Sequence, residues 1–370
     1  MKILVTGGAG FIGSFLVDKL VELGHEVRIL DNLEEQVHGG KQPNYLNHQA
    51  EFIKGDVRDY DVLKQALGGI EVVFHEAAAV GVAQSNYEIK RYTDVNVGGT
   101  ANLLDIVVND KHSSVKKILT TSSMTAYAEG MYQCPACGQV KGELRPLNQL
   151  EQKDWYMYCP NCHSPIEPVI TAETAPQPCN SIYALTKKTQ EDMLMLTGKM
   201  YQIPTVALRC FNVYGPRQSI ANPYTGVTAI FIARLKNNQP PVIYEDGLQT
   251  RDFVSVHDAV EALILAMDNP RADYRVMNIG SGQPTTIKDV ALNLARLMDK
   301  EIRPKITGEF RKNDIRHCYA DTSLAKKILG WRPKVSFNQG MTELIVWSQT
   351  VAAKDDFIKA EQELRSRGIL

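Results

Sequence analysis

Residues 5–13 read VTGGAGFIG, and they close the apolar run KILVT at Lys2–Thr6. Gly8, Gly10 and Gly13 fit G-x-G-x-x-G; Gly7, Gly10 and Gly13 fit G-x-x-G-x-x-G. Either spacing alone is weak. Here the glycines follow a predicted strand and open a predicted helix, Phe11–Gly24. An acid, Asp31, stands 18 residues beyond Gly13. That is the context a dinucleotide site requires. Glycines let the backbone approach a pyrophosphate, and the helix N-terminus stabilises its charge. The expected contacts are Gly7, Gly10, Phe11, Ile12 and Gly13. Asp31, with Asn32 beside it, would take the adenosine ribose hydroxyls and repel a 2′-phosphate. NAD is therefore expected over NADP.

Outward from this motif, short β-rich runs alternate with helical periodicity. HEVRIL (His25–Leu30), EFIKGD, EVVFHEA and VKKILTTSS read as strands. Helices are expected near Asp59–Leu67 and Ile89–Val108, then Ile182–Lys199, before a strand at TVALRC. This alternation predicts an α/β fold, a doubly wound parallel sheet covered on both faces. Past Tyr214 the order loosens into shorter helices near Val227–Leu235, Val256–Met267 and Ile287–Leu297. The expected division is a dinucleotide domain over residues 1–210 and a smaller substrate lobe over 211–370. Some segments of the second return to the first. Lys plus Arg number 41 against 42 Asp plus Glu, a formal charge of −1. That balance argues against a nucleic-acid or anionic-membrane footprint for the whole protein. No apolar run is long enough to span a bilayer. The N-terminus lacks a signal-peptide pattern, so the expected compartment is the cytoplasm.

SIYALTKK places Tyr183 and Lys187 four apart on a predicted helix, on one face. Alone, Y-x-x-x-K is common. With the glycine motif, the chain resembles the short-chain dehydrogenase/reductase superfamily. Further matches indicate its extended branch: GDVRD (Gly55–Asp59), HEAAAV (His75–Val80), NVGGT (Asn96–Thr100) and TSSMTAY (Thr121–Tyr127). RCFNVYGPRQ (Arg209–Gln218), RDFVSVHD (Arg251–Asp258) and RKNDIRHCYAD (Arg311–Asp321) complete the set. These motifs occur in the family's order over nearly the whole chain. They resemble the NAD-dependent nucleotide-sugar epimerase/dehydratase family, which has a Rossmann-type fold.

The resemblance implies roles. Hydride transfer from a sugar alcohol needs a base for the hydroxyl proton. Tyr183 matches that base, with Lys187 and a positive nicotinamide expected to lower its pKa. A drop of about three units corresponds to ~4 kcal/mol. Ser123 matches the hydroxyl that orients the reacting oxygen, with Ser122 as competitor and Thr125 close by on the substrate. Asp56 and Val57 match adenine-contacting positions. Ala77, Ala78 and Ala79 match a loop beside the pyrophosphate, and Asn96 matches a structural asparagine. Asn212, Arg251 and Arg311 match groups that hold the substrate's diphosphate, for which charge-assisted Arg–phosphate bonds are suited. Arg316 is a near rival to Arg311. The resemblance also implies a homodimer through a helix bundle.

The family usually places its Ser/Thr segment a couple of dozen residues before the tyrosine. Here Ser123 and Tyr183 are 60 apart, and the excess holds two C-x-x-C pairs. Cys134/Cys137 and Cys159/Cys162 are separated by 21 residues. This fits a four-cysteine zinc ribbon, with the gap one residue beyond the usual range. Four thiolates make a closed tetrahedral site, so a structural zinc is expected. It would nucleate an insertion over 130–170 that lacks its own core. Thioredoxin-like redox chemistry lacks its βαβ context, and disulfides suit a reducing compartment poorly. His163 is a fallback ligand. Cys179, Cys210 and Cys318 read as packing residues.

A non-catalytic NAD sensor would be expected to lack the tyrosine or lysine, and an NADP reductase would not carry Asp31. A zinc-ribbon nucleic-acid adaptor would need a basic excess that the insertion lacks. The residues after Ser123 are Met124 and Thr125. Relatives that dehydrate or decarboxylate their sugar carry a carboxylate there. Relatives that act as 3,5-epimerases carry a cysteine where Thr125 stands, so the resemblance implies 4-epimerisation of a nucleotide sugar, with a dehydratase or reductase as a lesser alternative. NPYTGVTAIFIARL and EDGLQTRDFVSV are most similar to bacterial dTDP-L-rhamnose 4-epimerases, with UDP-glucose/UDP-galactose 4-epimerases second.

Overall fold

A computed structural model describes residues 1–220, 222–224, 226–351 and 355–370. Seven strands form the central sheet: β1 (Lys2–Thr6), β2 (Glu26–Asp31), β3 (Glu51–Lys54), β4 (Val72–His75), β5 (Lys117–Ser123), β6 (Thr205–Cys210) and β7 (Arg275–Ile279). All pair parallel, in the order β7-β6-β5-β4-β1-β2-β3. This is the doubly wound order with one strand added.

Alternation along each strand feeds two cores. Ile3 and Val5 join Leu16, Val17 and Leu20 of α1 (Phe11–Glu22) and Leu263 of the helix Val256–Asp268. Leu4, pointing the other way, joins Leu63, Leu103 and Leu194. Burying one such leucine contributes about 1.5–3 kcal/mol. Strands covered on both faces read as continuous apolar runs. A buried pair also pins β6: Glu191 accepts two bonds from Arg209, at 2.9 and 2.6 Å. Strand order reverses between β1 and β4, which opens a crevice at their carboxyl ends.

The helix expected over Ile89–Val108 is interrupted. Ile89–Tyr92 and Gly99–Asn109 are α-helical, but Thr93–Gly98 is a π-turn. Buried Asn96 lies in that turn, and its side-chain amide both accepts from Ala79 N–H (2.8 Å) and donates to Ala79 C=O (3.2 Å). A pattern of 3.6 residues does not reveal one inserted residue.

The C-terminal lobe holds a second sheet of Asn212–Tyr214, Thr250–Ser255, Pro284–Thr286 and His317–Cys318. Three helices, Val227–Lys236, Ile287–Leu297 and Phe337–Ser348, enclose its core of Phe231, Leu235, Leu294 and Leu344. The insertion contains a three-stranded antiparallel sheet, Gly138–Lys141, Met131–Cys134 and Glu167–Val169. The expectation that it lacks a core is corrected. Tyr132, Cys134, Val140, Met157, Cys159 and Ile166 form a small buried cluster of their own.

Candidate active site

A cleft of about 620 Å³ runs from the β1–β4 crevice to the C-terminal lobe. That volume lies within the ordinary range for ligand sites. At its floor β1 ends and Gly7 turns the chain with φ of +68°. A Cβ there would lie 2.7 Å from Ala77 N, and one on Gly13 would lie 2.2 Å from the Gly7 carbonyl oxygen. Neither position accepts a side chain, so backbone stays open to a diphosphate. Gly7, Gly10, Phe11, Ile12 and Gly13 border the cleft, as do Ala77, Ala78 and Ala79. A Cβ on Gly8, the alternative first glycine, would press on the Ile29 side chain at 2.9 Å.

Asp31 ends β2. Its carboxylate accepts from Leu33 N–H at 2.8 Å and Ala9 N–H at 3.0 Å. Burial pushes its pKa up, and those two bonds oppose the shift. Asn32 donates to Asp56 at 2.9 Å, and Arg58 grips the same carboxylate at 2.9 and 2.7 Å. Burial would raise Asp56, but the hydrogen bonds from Arg58 and Asn32 win and hold it at about 2. Asp31, Asn32, Asp56 and Val57 all border this end of the cleft. The donor set and the side-chain-free cradle fit a dinucleotide.

The middle of the cleft is built from β5 and the helix α2 (Ile182–Tyr201). β5 delivers Ser123, whose Oγ lies 2.9 Å from Thr125 Oγ1 and accepts from Thr125 N–H at 3.2 Å. Ser181 caps α2 by accepting from Ala184 N–H at 3.2 Å. One turn apart, Tyr183 and Lys187 then face the cleft alongside Ser123 and Thr125. Tyr183 N–H donates to Ser85 Oγ at 2.9 Å, and its ring meets Tyr92 edge-on at 6.4 Å. Burial pushes Tyr183 up to about 12, with the Ser123 hydroxyl opposing. Burial lowers Lys187 to about 8, with Glu76 opposing. The expected lowering of Tyr183 by Lys187 is therefore not a property of the chain alone. The Lys187 ammonium donates to Gln190 Oε1.

Sequence reasoning missed Glu76. It ends the β4 run, borders the cleft and accepts from Thr121 N–H at 3.1 Å and from the Thr121 hydroxyl. An acid at the end of a wholly buried strand was the available signal. Arg217, Tyr224, Phe357 and Ile369 were also missed. They reach the cleft wall from distant segments.

On the lobe side, Asn212, Arg251 and Arg311 border the cleft. Arg251 reaches Asp314 at 3.2 Å, and Arg311 reaches it at 3.0 and 2.7 Å. The Arg311 guanidinium lies over the Tyr244 ring, 5.2 Å from its centre. Arg316 stands elsewhere. The residue is 5% exposed, and its guanidinium is taken by Glu245 at 2.9 Å and Asp246 at 2.7 Å. It does not border the cleft, whereas Arg311 does.

The sulfurs of Cys134, Cys137, Cys159 and Cys162 lie within 4.8 Å of one another, and none is in a disulfide. Cys134 and Cys162 sulfurs are 3.5 Å apart. A tetrahedral site with Zn–S bonds of about 2.3 Å requires sulfurs about 3.8 Å apart. His163 is not part of the cluster among the described residues. No described helix is long and apolar enough to cross a membrane.

Comparison with known proteins bears on the family of the chain. The family model for GDP-mannose 4,6 dehydratase matches residues 164–344, and that for the 3-beta hydroxysteroid dehydrogenase/isomerase family matches 4–147. The dTDP-L-rhamnose 4-epimerase of Burkholderia thailandensis is 37% identical over 94% of this chain and 94% of its own. The UDP-glucose 4-epimerase of Mycolicibacterium smegmatis is 30% identical over 93% and 97%. The UDP-glucuronic acid 4-epimerase of Bacillus cereus, solved with UDP-glucuronic acid and NAD, superposes with a TM-score of 0.77. It is 26% identical, covering 95% of this chain and 100% of its own. Nucleotide-sugar decarboxylases are also among the similar proteins. With its glycine cradle, its Tyr-Lys helix and this likeness over nearly its full length, the chain belongs to the NAD-dependent nucleotide-sugar epimerase branch of the extended short-chain dehydrogenase/reductase family.

Proposed function

We propose that the chain is an NAD-dependent nucleotide-sugar 4-epimerase that converts dTDP-L-rhamnose to dTDP-6-deoxy-L-talose. The observation that carries the reaction is the turn after Ser123. It holds Met124 and Thr125, so no carboxylate stands there to remove a C5 proton or expel water. The Burkholderia relative supports the sugar. The Mycolicibacterium relative supports UDP-glucose as the second reading.

Each residue has one task. Asp31 takes the adenosine ribose hydroxyls, and the cradle from Gly7 to Gly13 takes the pyrophosphate. Bound NAD would supply the hydride acceptor and donor, and the positive charge that draws the Tyr183 proton off. Ser123 holds O4 of the sugar, and Tyr183 Oη takes its proton as C4 is oxidised. Lys187 keeps positive charge behind the tyrosine. Arg251 and Arg311 hold the diphosphate, with Asn212 beside them. The 4-keto ring turns over about that anchor, Tyr183 returns the proton to O4, and C4 is reduced on its other face.

The four cysteines are assigned to one structural zinc ion in the same proposal. Their spacing, free thiols and sulfur separations support it. A homodimer is supported by the apolar strip that Leu185, Leu196 and Met200 expose along α2 at helical spacing. The test of the activity is incubation of the purified protein with dTDP-L-rhamnose and UDP-glucose separately, without added cofactor. NMR should show a C4 epimer from the first. Turnover of UDP-glucose alone would keep the mechanism and replace the sugar. A product lacking water or carbon dioxide would overturn both.

A further inference from the structure

The insertion is bonded to the substrate lobe through groups that neither NAD binding nor the epimerisation uses. Arg145 leaves the insertion and clasps Glu245 with two bonds of 2.8 Å. The two side chains are 3% and 4% exposed. Glu245 also takes Arg316 at 2.9 Å, and Arg316 takes Asp246. Where the chain enters the insertion, the buried Glu129 carboxylate accepts from the backbone N–H groups of Arg316 and His317. Where the chain leaves it, Thr171 pairs with the segment beyond, accepting from Asp321 N–H at 3.0 Å and donating to Tyr319 at 2.9 Å. Arg145 also donates to the Asp314 carbonyl at 3.5 Å, so the end of the 311–316 stretch is held between the insertion and the lobe.

That held segment carries the cleft's cationic wall. Arg311, Asp314 and Ile315 border the cleft. Arg251 is aimed by Asp314 and by the Ile315 carbonyl, to which it donates at 2.6 Å. Tyr244, the platform under Arg311, directly precedes Glu245. Glu245 has φ of +56°, a left-handed conformation rare outside glycine. Such a backbone persists only where its surroundings over-determine it. The two-pronged bond from Arg145 is such a constraint.

We propose that the cysteine-rich insertion is a positioning module for the substrate cleft, and that Arg145 is the residue through which it fixes Tyr244 and the 311–316 segment for the nucleotide diphosphate. Arg145 touches neither sugar nor cofactor in this scheme. It acts through Glu245. Closing the insertion around a metal would stiffen the base from which Arg145 projects. The inference rests on the reading that a nucleotide sugar binds this cleft.

The test uses the full chain with its bound cofactor. Wild-type protein is first titrated with dTDP, UDP and the matching nucleosides by calorimetry. Failure to bind either diphosphate would sink the substrate reading itself. In Arg145→Met, KM for the sugar nucleotide should rise about tenfold or more with kcat within about twofold, because the loss is in uniform binding. Diphosphate affinity should fall in step, while nucleoside affinity and NAD content stay unchanged. Arg145→Lys should give an intermediate KM, since lysine keeps the charge and loses the fork. Should Arg145→Met not fold, the lysine variant decides alone. An unchanged KM and diphosphate affinity would overturn the proposal. So would parallel loss of kcat, NAD and nucleoside binding, the mark of a merely structural role.

Discussion

The hydroxyl of Ser123 lies 2.9 Å from that of Thr125, and the Thr125 N–H donates back to the same Ser123 oxygen at 3.2 Å. The serine rotor is therefore held before any sugar arrives. Held in this way, it can present a hydrogen bond to O4 with little reorganisation. Ser123→Ala should lower kcat by roughly 10²-fold, with KM changed little and NAD content intact. Steady-state kinetics check this, and a variant with kcat near wild type would pass the role to Ser122.

Tyr183→Phe should leave folding and NAD content unchanged and lower turnover by at least ~10²-fold, the usual share of a positioned acid–base. A rate above about a tenth of wild type would remove the tyrosine from this role. The pH profile tests its neighbour. Burial brings Lys187 down to about 8, so it carries charge below that pH and loses it above. Its charge favours the tyrosinate, so activity should decline on the alkaline side from about pH 8. In Lys187→Met the acid limb should move to higher pH. A profile flat through pH 10 in wild type would contradict this.

Elemental analysis should find one zinc per chain, and Cys134→Ser should lose it. In wild type the four cluster thiols should resist a thiol reagent until a strong chelator is added. Metal-free protein with those thiols freely titratable would refute the assignment. Binding requires deprotonated thiols, so zinc should leave as pH falls.

Two buried histidines set an acid limit on stability. Burial lowers both His75 and His317 to about 3, from an ordinary value of 6.5. Like-charged neighbours, Lys187 for the first and Arg316 for the second, push the same way. Between those values the unfolded chain binds protons that the folded chain does not. Stability is therefore full above about pH 6.5 and is lost as pH falls toward 3. Each histidine contributes a slope of up to ~1.4 kcal/mol per pH unit in that window. Calorimetric Tm values from pH 7.5 down to 4.5 should fall more steeply in wild type than in His75→Gln. Equal slopes in both would show that His75 does not titrate on unfolding.

Where a motif is local, its placement was legible. The glycine cradle, the Tyr183/Lys187 face and the two C-x-x-C pairs are each set within one turn or one helix, so spacing alone locates them. Arg311 and Arg316 show the limit. Five residues apart in one loop, they have the same chemistry. What separates them is Glu245 and Asp246, some seventy positions away, which draw Arg316 out of the cleft. The ion pair between Arg145 and Glu245 spans 100 positions and left no pattern to read. The π-turn at Thr93–Gly98 was hidden because its side chains keep a helical rhythm while its hydrogen bonds shift. The insertion's core went unseen because two of its members, Cys134 and Cys159, were read only as ligands.

The reaction itself can be separated from its relatives by following one hydrogen. The end of β5 offers hydroxyls from Ser123 and Thr125 and the thioether of Met124, but no acid in the turn that follows. Glu76 is the nearby exception. Its carboxylate is already engaged by the N–H and hydroxyl of Thr121, and burial raises its pKa. A chain that only removes and returns hydride at C4 never exposes that hydrogen to solvent. Turnover of dTDP-L-rhamnose in deuterated water should therefore invert C4 and leave C3, C4 and C5 free of deuterium. Deuterium at C5 would mean that a base reaches the C5 proton, and Glu76 would be the first residue to replace. Substrate carrying deuterium at C4 should keep it in the product, with a primary isotope effect on kcat if hydride transfer limits turnover. Washout of that label would exclude return of the same hydride and, with it, the closed cofactor cycle.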